Sequence, residues 1–228
     1  MATNVLVSTF SPSELVLLRP NDFAKPKGLG GLQVLSFEQK VDGAELIRKM
    51  IAVAFLAAEA AGDIKLEVRT GKALFGLRHP RYLGVDAGTT TTAWPEGSLE
   101  SRIRSWAEQL AVKKNNSAKS IVYTWLAVDS ELPWRLAITQ VEIPLIRRGL
   151  LTTTESKTLK VIKHTNTTLP DATRQLASAQ PITSLQTLLS ETQTARADVW
   201  NQLINDVDGG IGARKDASSI DAYGADTN

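Results

Sequence analysis

The sequence contains no cysteine and only two histidines, His79 and His164. The absence of cysteine excludes disulfide bonds, cysteine-ligated zinc and thiol nucleophiles. So few histidines do not favour a histidine-rich metal site, and we interpret His79 as a surface residue of a basic loop rather than a catalyst. No hydrolase elbow, phosphate-binding P-loop, metal-ligand spacing or pair of carboxylates is found. We therefore expect a protein that is not an enzyme and needs no cofactor.

An excess of charge of one sign is also lacking. The 26 basic residues nearly balance the 24 acidic ones, so the net charge is only +2 and the chain as a whole is not strongly drawn to polyanions. The N-terminal residues do not show the basic segment and compact apolar stretch of a signal peptide, so we expect a cytoplasmic location. A hydrophobic content of 43% is sufficient for the core of one domain.

The longest apolar stretch predicts a central helix. Asp42 is a suitable N-cap, and Gly62 is the residue type that commonly ends helices. Between Lys49 and Glu59 every residue is apolar, so this helix has no polar face and must be surrounded by protein. The run is too short to span a membrane, which takes roughly 18 apolar residues.

A β-hairpin is predicted directly after this helix. Residues 64–68 alternate as a half-buried strand should, and residues 72–77 are expected to form the returning strand after a turn at Thr70 and Gly71. Residues 65–81 contain five lysines and arginines but one glutamate. This hairpin is therefore either an anion-facing surface or a solvated edge protected by its charges, and both interpretations stay open.

The second informative stretch predicts a helix followed by two short strands. Residues 131–148 carry an apolar stripe, Gly149 ends the helix, and Pro144 is expected to kink or divide it. Residues 150–151 and 159–162 then flank a polar turn as strands. This order is also that of a winged-helix unit, although Pro144 and the modest local charge argue against a recognition helix.

These patterns predict a mostly α fold of the α+β class. A central buried helix is surrounded by amphipathic helices, with a β-hairpin and a small winged-helix-like strand pair. Residues 1–205 are expected to form a single domain. From Asp206 onward the composition changes to glycine, aspartate, serine and alanine, which predicts a disordered tail over residues 206–228.

Three segments resemble the Golgi phosphoprotein 3 family, also called the GPP34 domain. They are SELVLL at residues 13–18, AGDIKLE at residues 61–67 and LIRRGLLTT at residues 145–153. The order and approximate separation of these segments agree with the family over about residues 8–190. The resemblance implies a mostly helical fold with a buried central helix, and a β-hairpin through which copies of the chain associate.

The same resemblance implies a membrane-associated adaptor that binds phosphatidylinositol 4-phosphate in a basic pocket. One family arginine falls on Arg135, whereas Ile138, Ile51 and the Val41–Asp42 pair occupy three other family positions. Other candidates lie close to these positions along the chain. The candidate headgroup-binding residues are therefore Arg48, Lys49, Trp134, Arg135 and Arg148.

Three functions follow as hypotheses. The first is a non-enzymatic peripheral membrane or protein-binding adaptor that recognises anionic phospholipid headgroups through a basic surface. The second is a winged-helix protein that binds nucleic acid. Nucleic acid is a less favoured partner than an anionic lipid headgroup or another protein. The third is a structural subunit of a larger assembly that uses the hairpin and exposed tryptophans as interfaces.

Overall fold

The computed structural model describes residues 9–35, 37–71, 80–158 and 162–224. Within these ranges the chain forms nine helices and two separate antiparallel hairpins, which confirms the predicted mostly α fold. The helices are α1 (Pro12–Leu18), α2 (Pro20–Phe23), α3 (Gly43–Ala60), α4 (Leu99–Val112), α5 (Ala118–Leu126), α6 (Pro133–Arg147), α7 (Asp171–Ala179), α8 (Thr183–Ala195) and α9 (Ala197–Gly224). The strands are β1 (Ile64–Thr70), β2 (Arg81–Ala87), β3 (Thr152–Thr158) and β4 (Ile162–Thr168).

Helix α3 is the buried centre of the fold, as predicted. The Asp42 carboxylate accepts hydrogen bonds from the amides of Ala44 and Glu45 at 3.1 and 3.2 Å, and Gly62 adopts a positive φ of 80° after the helix. Every residue from 50 to 58 is buried, and helices α1, α4, α6, α8 and α9 pack around them. In the described ranges no helix is long and apolar enough to cross a membrane.

The first hairpin pairs β1 with a later strand than predicted. Ile64 pairs with Ala87 and Thr70 with Arg81, so the returning strand in the described residues is β2. Strand β2 is held in this position because Leu83 is buried in the core and its amide donates to Asp206 Oδ2 at 2.9 Å. The segment first predicted, together with His79, lies outside the described residues.

The second hairpin follows α6 in the predicted order, but its strands lie at other positions. Strands β3 and β4 pair from Thr152 with Thr168 to Thr158 with Ile162. Residues 150–151 are not strand because Leu151 packs into the core and the amide of Leu150 bonds to the carbonyl of Leu145 at 2.9 Å. Helix α6 continues through Pro144 to Arg147, so the proline does not divide it.

The predicted disordered tail over residues 206–228 is wrong where the structure describes it. Helix α9 runs to Gly224, and Val207 and Ile211 are fully buried. The glycines that suggested disorder allow close packing instead, because a Cβ on Gly210 would lie 2.9 Å from the Val122 side chain of α5. The domain therefore extends past residue 205 into α9.

Candidate functional site

A pocket of about 800 Å³ lies between helix α6, the loop between α2 and α3, and the second hairpin. Helix α6 contributes Arg135, Ile138, Thr139, Glu142 and Ile146, the loop contributes residues 32–35, and the hairpin contributes Thr153, Thr154, Asn166, Thr167 and Thr168. A volume of this size lies within the range of roughly 300–1,000 Å³ that is usual for small-molecule sites.

Helical periodicity explains why α6 presents these side chains together. Arg135, Ile138, Thr139 and Glu142 recur at intervals of three and four residues, so they occupy one face of the helix. The opposite face carries apolar residues such as Ala137, which is buried in the core. The Arg135 guanidinium forms no hydrogen bond or ion pair with any residue that the structure describes, so its charge is available to a ligand.

A carboxyl group stands at the other end of the same face. Burial raises the pKa of Glu142, and this effect is opposed by a hydrogen bond from Thr167 Oγ1 at 3.4 Å and by the charge of Arg135. The two residues are seven positions apart, which is about 10 Å along a helix axis. The pocket therefore has a cation toward one end and, toward the other, a carboxyl group whose pKa is raised by burial.

The described hairpin residues that line the pocket are polar and uncharged. Four threonines and Asn166 supply hydroxyl and amide groups that can both donate and accept hydrogen bonds. Arginine binds phosphate oxygens with paired, charge-assisted hydrogen bonds. The arrangement is thus suited to a ligand that carries one phosphate group and several hydroxyl groups.

Of the five residues predicted to bind the headgroup, only Arg135 lines this pocket. Arg48 instead donates two hydrogen bonds to Asp208, at 2.8 and 2.9 Å, and its guanidinium lies 5.3 Å from the ring centroid of Trp134. Lys49 Nζ donates to the Phe23 carbonyl and to Glu45, each at 2.8 Å. Both cations therefore already bind groups of the protein itself.

Arg148 lies too far along α6 to share the site. It follows Arg135 by thirteen residues, which corresponds to about 20 Å of helix. Its guanidinium bonds to Glu14 and donates to the Thr9 carbonyl at 2.9 Å. The structure does not bring the five predicted residues together.

The other positions suggested by the family resemblance do not add cations. Ile138 lines the pocket, and Ile51 is fully buried in α3. Asp42 is the N-cap of α3 and pairs with Lys27 at 2.9 Å. Arg135 is consequently the one basic residue among those that line the pocket in the described part of the chain.

A buried polar cluster joins α1, α4 and the C-terminal end of α6, and the sequence did not reveal it. The amide and hydroxyl of Ser13 donate to the two carboxylate oxygens of Glu100 at 2.7 and 2.9 Å, and the Ser11 amide donates to Glu14 at 2.9 Å. Arg148 completes the cluster through Glu14. Ser11 and Glu14 form a capping box, whose spacing is visible in the sequence, but their distant partners are not.

Both carboxyl groups of this cluster are shielded from water. Burial raises the pKa of Glu14 to about 7, against the opposing hydrogen bond and charge of Arg148. Burial likewise raises the pKa of Glu100, which is 1% exposed. Because the groups are enclosed and bonded to one another, we assign the cluster to stability and not to ligand binding.

A second, smaller pocket of about 300 Å³ lies beside Asp63 and Trp94. The Asp63 carboxylate is already occupied there, since it accepts from the amide and hydroxyl of Thr92 at 2.8 and 2.9 Å and from Trp94 Nε1 at 2.6 Å. This aspartate fixes the loop between β2 and α4. Among the described residues no group of three or more acidic or histidine side chains is placed to hold a metal ion.

Comparison of the chain with protein-family models, with curated proteins and with solved structures finds no match. The resemblance to the GPP34 family therefore stays a prediction, and the function is argued from the pocket itself.

Proposed function

We propose that this protein is a non-enzymatic adaptor that binds a singly phosphorylated, polyhydroxylated headgroup at a membrane surface. The observation that supports this function most directly is the guanidinium of Arg135, which pairs with no residue that the structure describes and stands at one end of a pocket with a wall of hydroxyl groups. A phosphatidylinositol monophosphate has the matching chemistry, because one phosphate stands on a ring of hydroxyl groups.

The number of cations favours one phosphate over several. A headgroup with two or three phosphates would need additional positive charge, whereas the described residues that line this pocket include one cation, Arg135, and one carboxyl group, Glu142. When Glu142 is protonated, its carboxyl group can donate a hydrogen bond to a ring hydroxyl. The threonines and Asn166 then accept and donate the remaining bonds.

Vesicle flotation tests this function. We expect the protein to float with phosphatidylcholine vesicles that contain phosphatidylinositol 4-phosphate and to remain in solution with phosphatidylcholine alone. Arg135→Glu should weaken binding roughly tenfold or more, because a hydrogen bond to a charged group contributes about 1.5–3 kcal/mol.

Arg147→Glu is the matched control. It makes the same change of charge on the same helix, but Arg147 is exposed and does not line the pocket. Equal losses for the two variants would show that general charge and not the pocket is responsible. Absence of binding at low salt would overturn the lipid function.

A structural subunit is the second candidate, and the second hairpin favours it. Strands β3 and β4 pair only with each other in the described part of the chain, so each has an outer edge without a strand neighbour. Such edges pair readily with another copy of the chain. Light scattering should then give the mass of a dimer, and a proline substituted into β3 should abolish the dimer. This result would support a structural subunit over an adaptor that acts as a monomer.

The nucleic-acid alternative has less support. Helix α6 and the hairpin after it keep the order of a winged-helix unit, but α6 presents only Arg135 and Arg147 as exposed basic side chains. Two such contacts would give weak binding to a phosphate backbone. A strong, salt-dependent gel shift would restore this alternative.

A further inference from the structure

Glu142 is the one carboxyl group among the described residues that line the pocket between α6 and the second hairpin. Its side chain is half-buried, and within the described chain it accepts one hydrogen bond, from Thr167 Oγ1 at 3.4 Å. Ile138 and Ile146 line the same pocket one helical turn before and after Glu142, so apolar side chains lie on both sides of it. The fold therefore places a weakly hydrogen-bonded carboxyl group in an apolar part of a ligand pocket.

Within the described chain, Arg135 is the charged group that acts on Glu142. It lies seven residues earlier on the same face of α6 and opposes the raised pKa of Glu142 without forming an ion pair with it. The pocket-lining residues of the loop, 32–35, and of the hairpin, 153–154 and 166–168, carry no titratable side chain. Helices α1, α3, α5 and α9 also contact α6, and none of their described charged groups shifts the pKa of this carboxyl group. The charge of a bound ligand would therefore act on Glu142 with little competition.

An anion bound in this pocket changes the affinity of Glu142 for a proton. Seven residues correspond to about 10 Å along a helix, so a phosphate group on Arg135 lies about that far from the Glu142 carboxyl group. A unit negative charge at about 10 Å, with an effective dielectric constant of about 20, favours the protonated carboxyl group over the carboxylate by roughly tenfold. Because such coupling is reciprocal, the protein with Glu142 protonated must bind the anion more tightly by the same factor.

We propose that this pocket binds its anionic ligand together with a proton on Glu142, so that the ligand is held at acidic pH and released as the pH rises. The neutral carboxyl group does not repel the anion and can donate a hydrogen bond to a ligand hydroxyl group, whereas the carboxylate repels the anion. Ligand binding raises the pKa of Glu142 further, so the affinity is highest below the pKa of the free protein and falls as the pH rises through it. This inference rests on the proposed function, because it takes the headgroup phosphate as the ligand of Arg135.

Vesicles of phosphatidylcholine that contain phosphatidylinositol 4-phosphate test this inference. The dissociation constants of the parent protein and of Glu142→Gln, which keeps the shape of the side chain but cannot titrate, are measured by flotation from about pH 5 to about pH 8. The lipid phosphate itself titrates near about pH 6, and Glu14 titrates as well, but both do so equally for the two proteins. The ratio of the two constants therefore isolates Glu142. Between these pH values the parent protein should weaken about tenfold relative to Glu142→Gln.

Two further variants and a second measurement control for other causes. Glu191→Gln removes an exposed carboxyl group of α8 that does not line the pocket, so it should keep the pH dependence of the parent protein. Glu142→Asp keeps an ionisable group at the same position and should also bind more weakly as the pH rises. Calorimetry in two buffers with different enthalpies of ionisation counts the protons taken up on binding, and the parent protein should take up more than Glu142→Gln does.

The outcomes separate this inference from the proposed function. A ratio of dissociation constants that does not change with pH, together with equal proton uptake, would overturn the coupling to Glu142. If Arg135→Glu still lost its binding to phosphatidylinositol 4-phosphate, the proposed function would stand. Binding of Glu142→Gln that is weaker by one factor at every pH would indicate a contact that does not depend on titration, and it would also overturn the coupling. No binding of the parent protein at any pH in this range would overturn both proposals.

Discussion

The two ends of α6 each combine an arginine with a carboxyl group whose pKa is raised by burial. At the C-terminal end Arg148 bonds directly to Glu14, which is fully buried. At the N-terminal end Arg135 shares a face with Glu142, seven residues further along, but the two side chains do not meet and the pocket lies along this face. The same two residue types therefore produce an internal contact in one place and an open site in the other.

This difference shows that residue type alone does not identify a binding cation. Removal of one partner from a buried ion pair leaves an uncompensated charge, so Arg148 is needed for the stability of the fold. An exposed arginine without an internal partner contributes little to stability and is free to bind a ligand. The sequence predicts both arginines as headgroup ligands. The structure distinguishes them by the position of the neighbouring carboxyl group, which contacts Arg148 but not Arg135.

The largest effect should come from Arg148→Ala. Loss of this guanidinium leaves Glu14 buried without its cation and should lower the free energy of unfolding by about 3 kcal/mol at about pH 8. Urea denaturation measures this change. Arg147→Ala, one residue earlier and exposed, should change stability by less than about 0.5 kcal/mol. A loss below about 1 kcal/mol for Arg148→Ala would break the contrast between the two ends.

Comparable in size is a pH effect from Glu14. Its pKa is raised from 4.5 to about 7 in the folded protein, so folding binds a proton between these values. The stabilisation is complete below about pH 4.5 and is lost as the pH rises to about 7, at up to about 1.4 kcal/mol per pH unit. Glu14→Gln removes this titration. The stability advantage of the parent protein over the variant should therefore shrink across that window in urea denaturation at several pH values, and a constant difference would contradict the assignment.

A smaller effect is expected for the pair of Arg48 and Asp208. The two side chains are each 36% exposed, so solvent screening reduces the strength of their ion pair. A double-mutant cycle with Arg48→Ala and Asp208→Ala should give a coupling free energy of about 0.5–1 kcal/mol. A coupling free energy near zero would mean that Arg48, like Arg135, is available to a ligand.

The smallest effect on stability should come from Arg135→Ala. Because Arg135 is exposed and has no partner among the described residues, the free energy of unfolding should change by less than about 0.5 kcal/mol. Thermal or urea unfolding measures this directly. A larger loss would mean that Arg135 supports the fold, and the sensitivity of vesicle binding to Arg135→Glu would no longer indicate a site.

The sequence predicts α3 well because its signals are local. Asp42 caps the helix, Gly62 follows its end, and the residues between Lys49 and Glu59 are apolar on every side. The partner of β1 could not be predicted in the same way, because residues 72–77 and 81–87 are both apolar enough to form a strand. The choice is made by contacts with α9, which lies more than a hundred residues later along the chain.

The candidate site was predicted only in part for a similar reason. Arg135 was selected through a resemblance and lies in the pocket, but the polar wall opposite depends on the path of the second hairpin. The partner of Arg148 is 134 residues away, and no local pattern links the two. The tail was mistaken for disorder because small residues that suit flexible segments also suit a helix packed closely against a neighbour.

The position of α9 at the end of the described chain has a consequence for biosynthesis. Asp206 closes over β2 through the Leu83 amide, and Arg214 bonds to the Tyr123 carbonyl at the end of α5. A ribosome adds about 5–20 residues per second, so several seconds pass between the synthesis of α5 and the synthesis of the part of α9 that packs on it. During that interval the nascent chain exposes an apolar surface that the finished protein hides. The core is therefore completed only after α9 has been made.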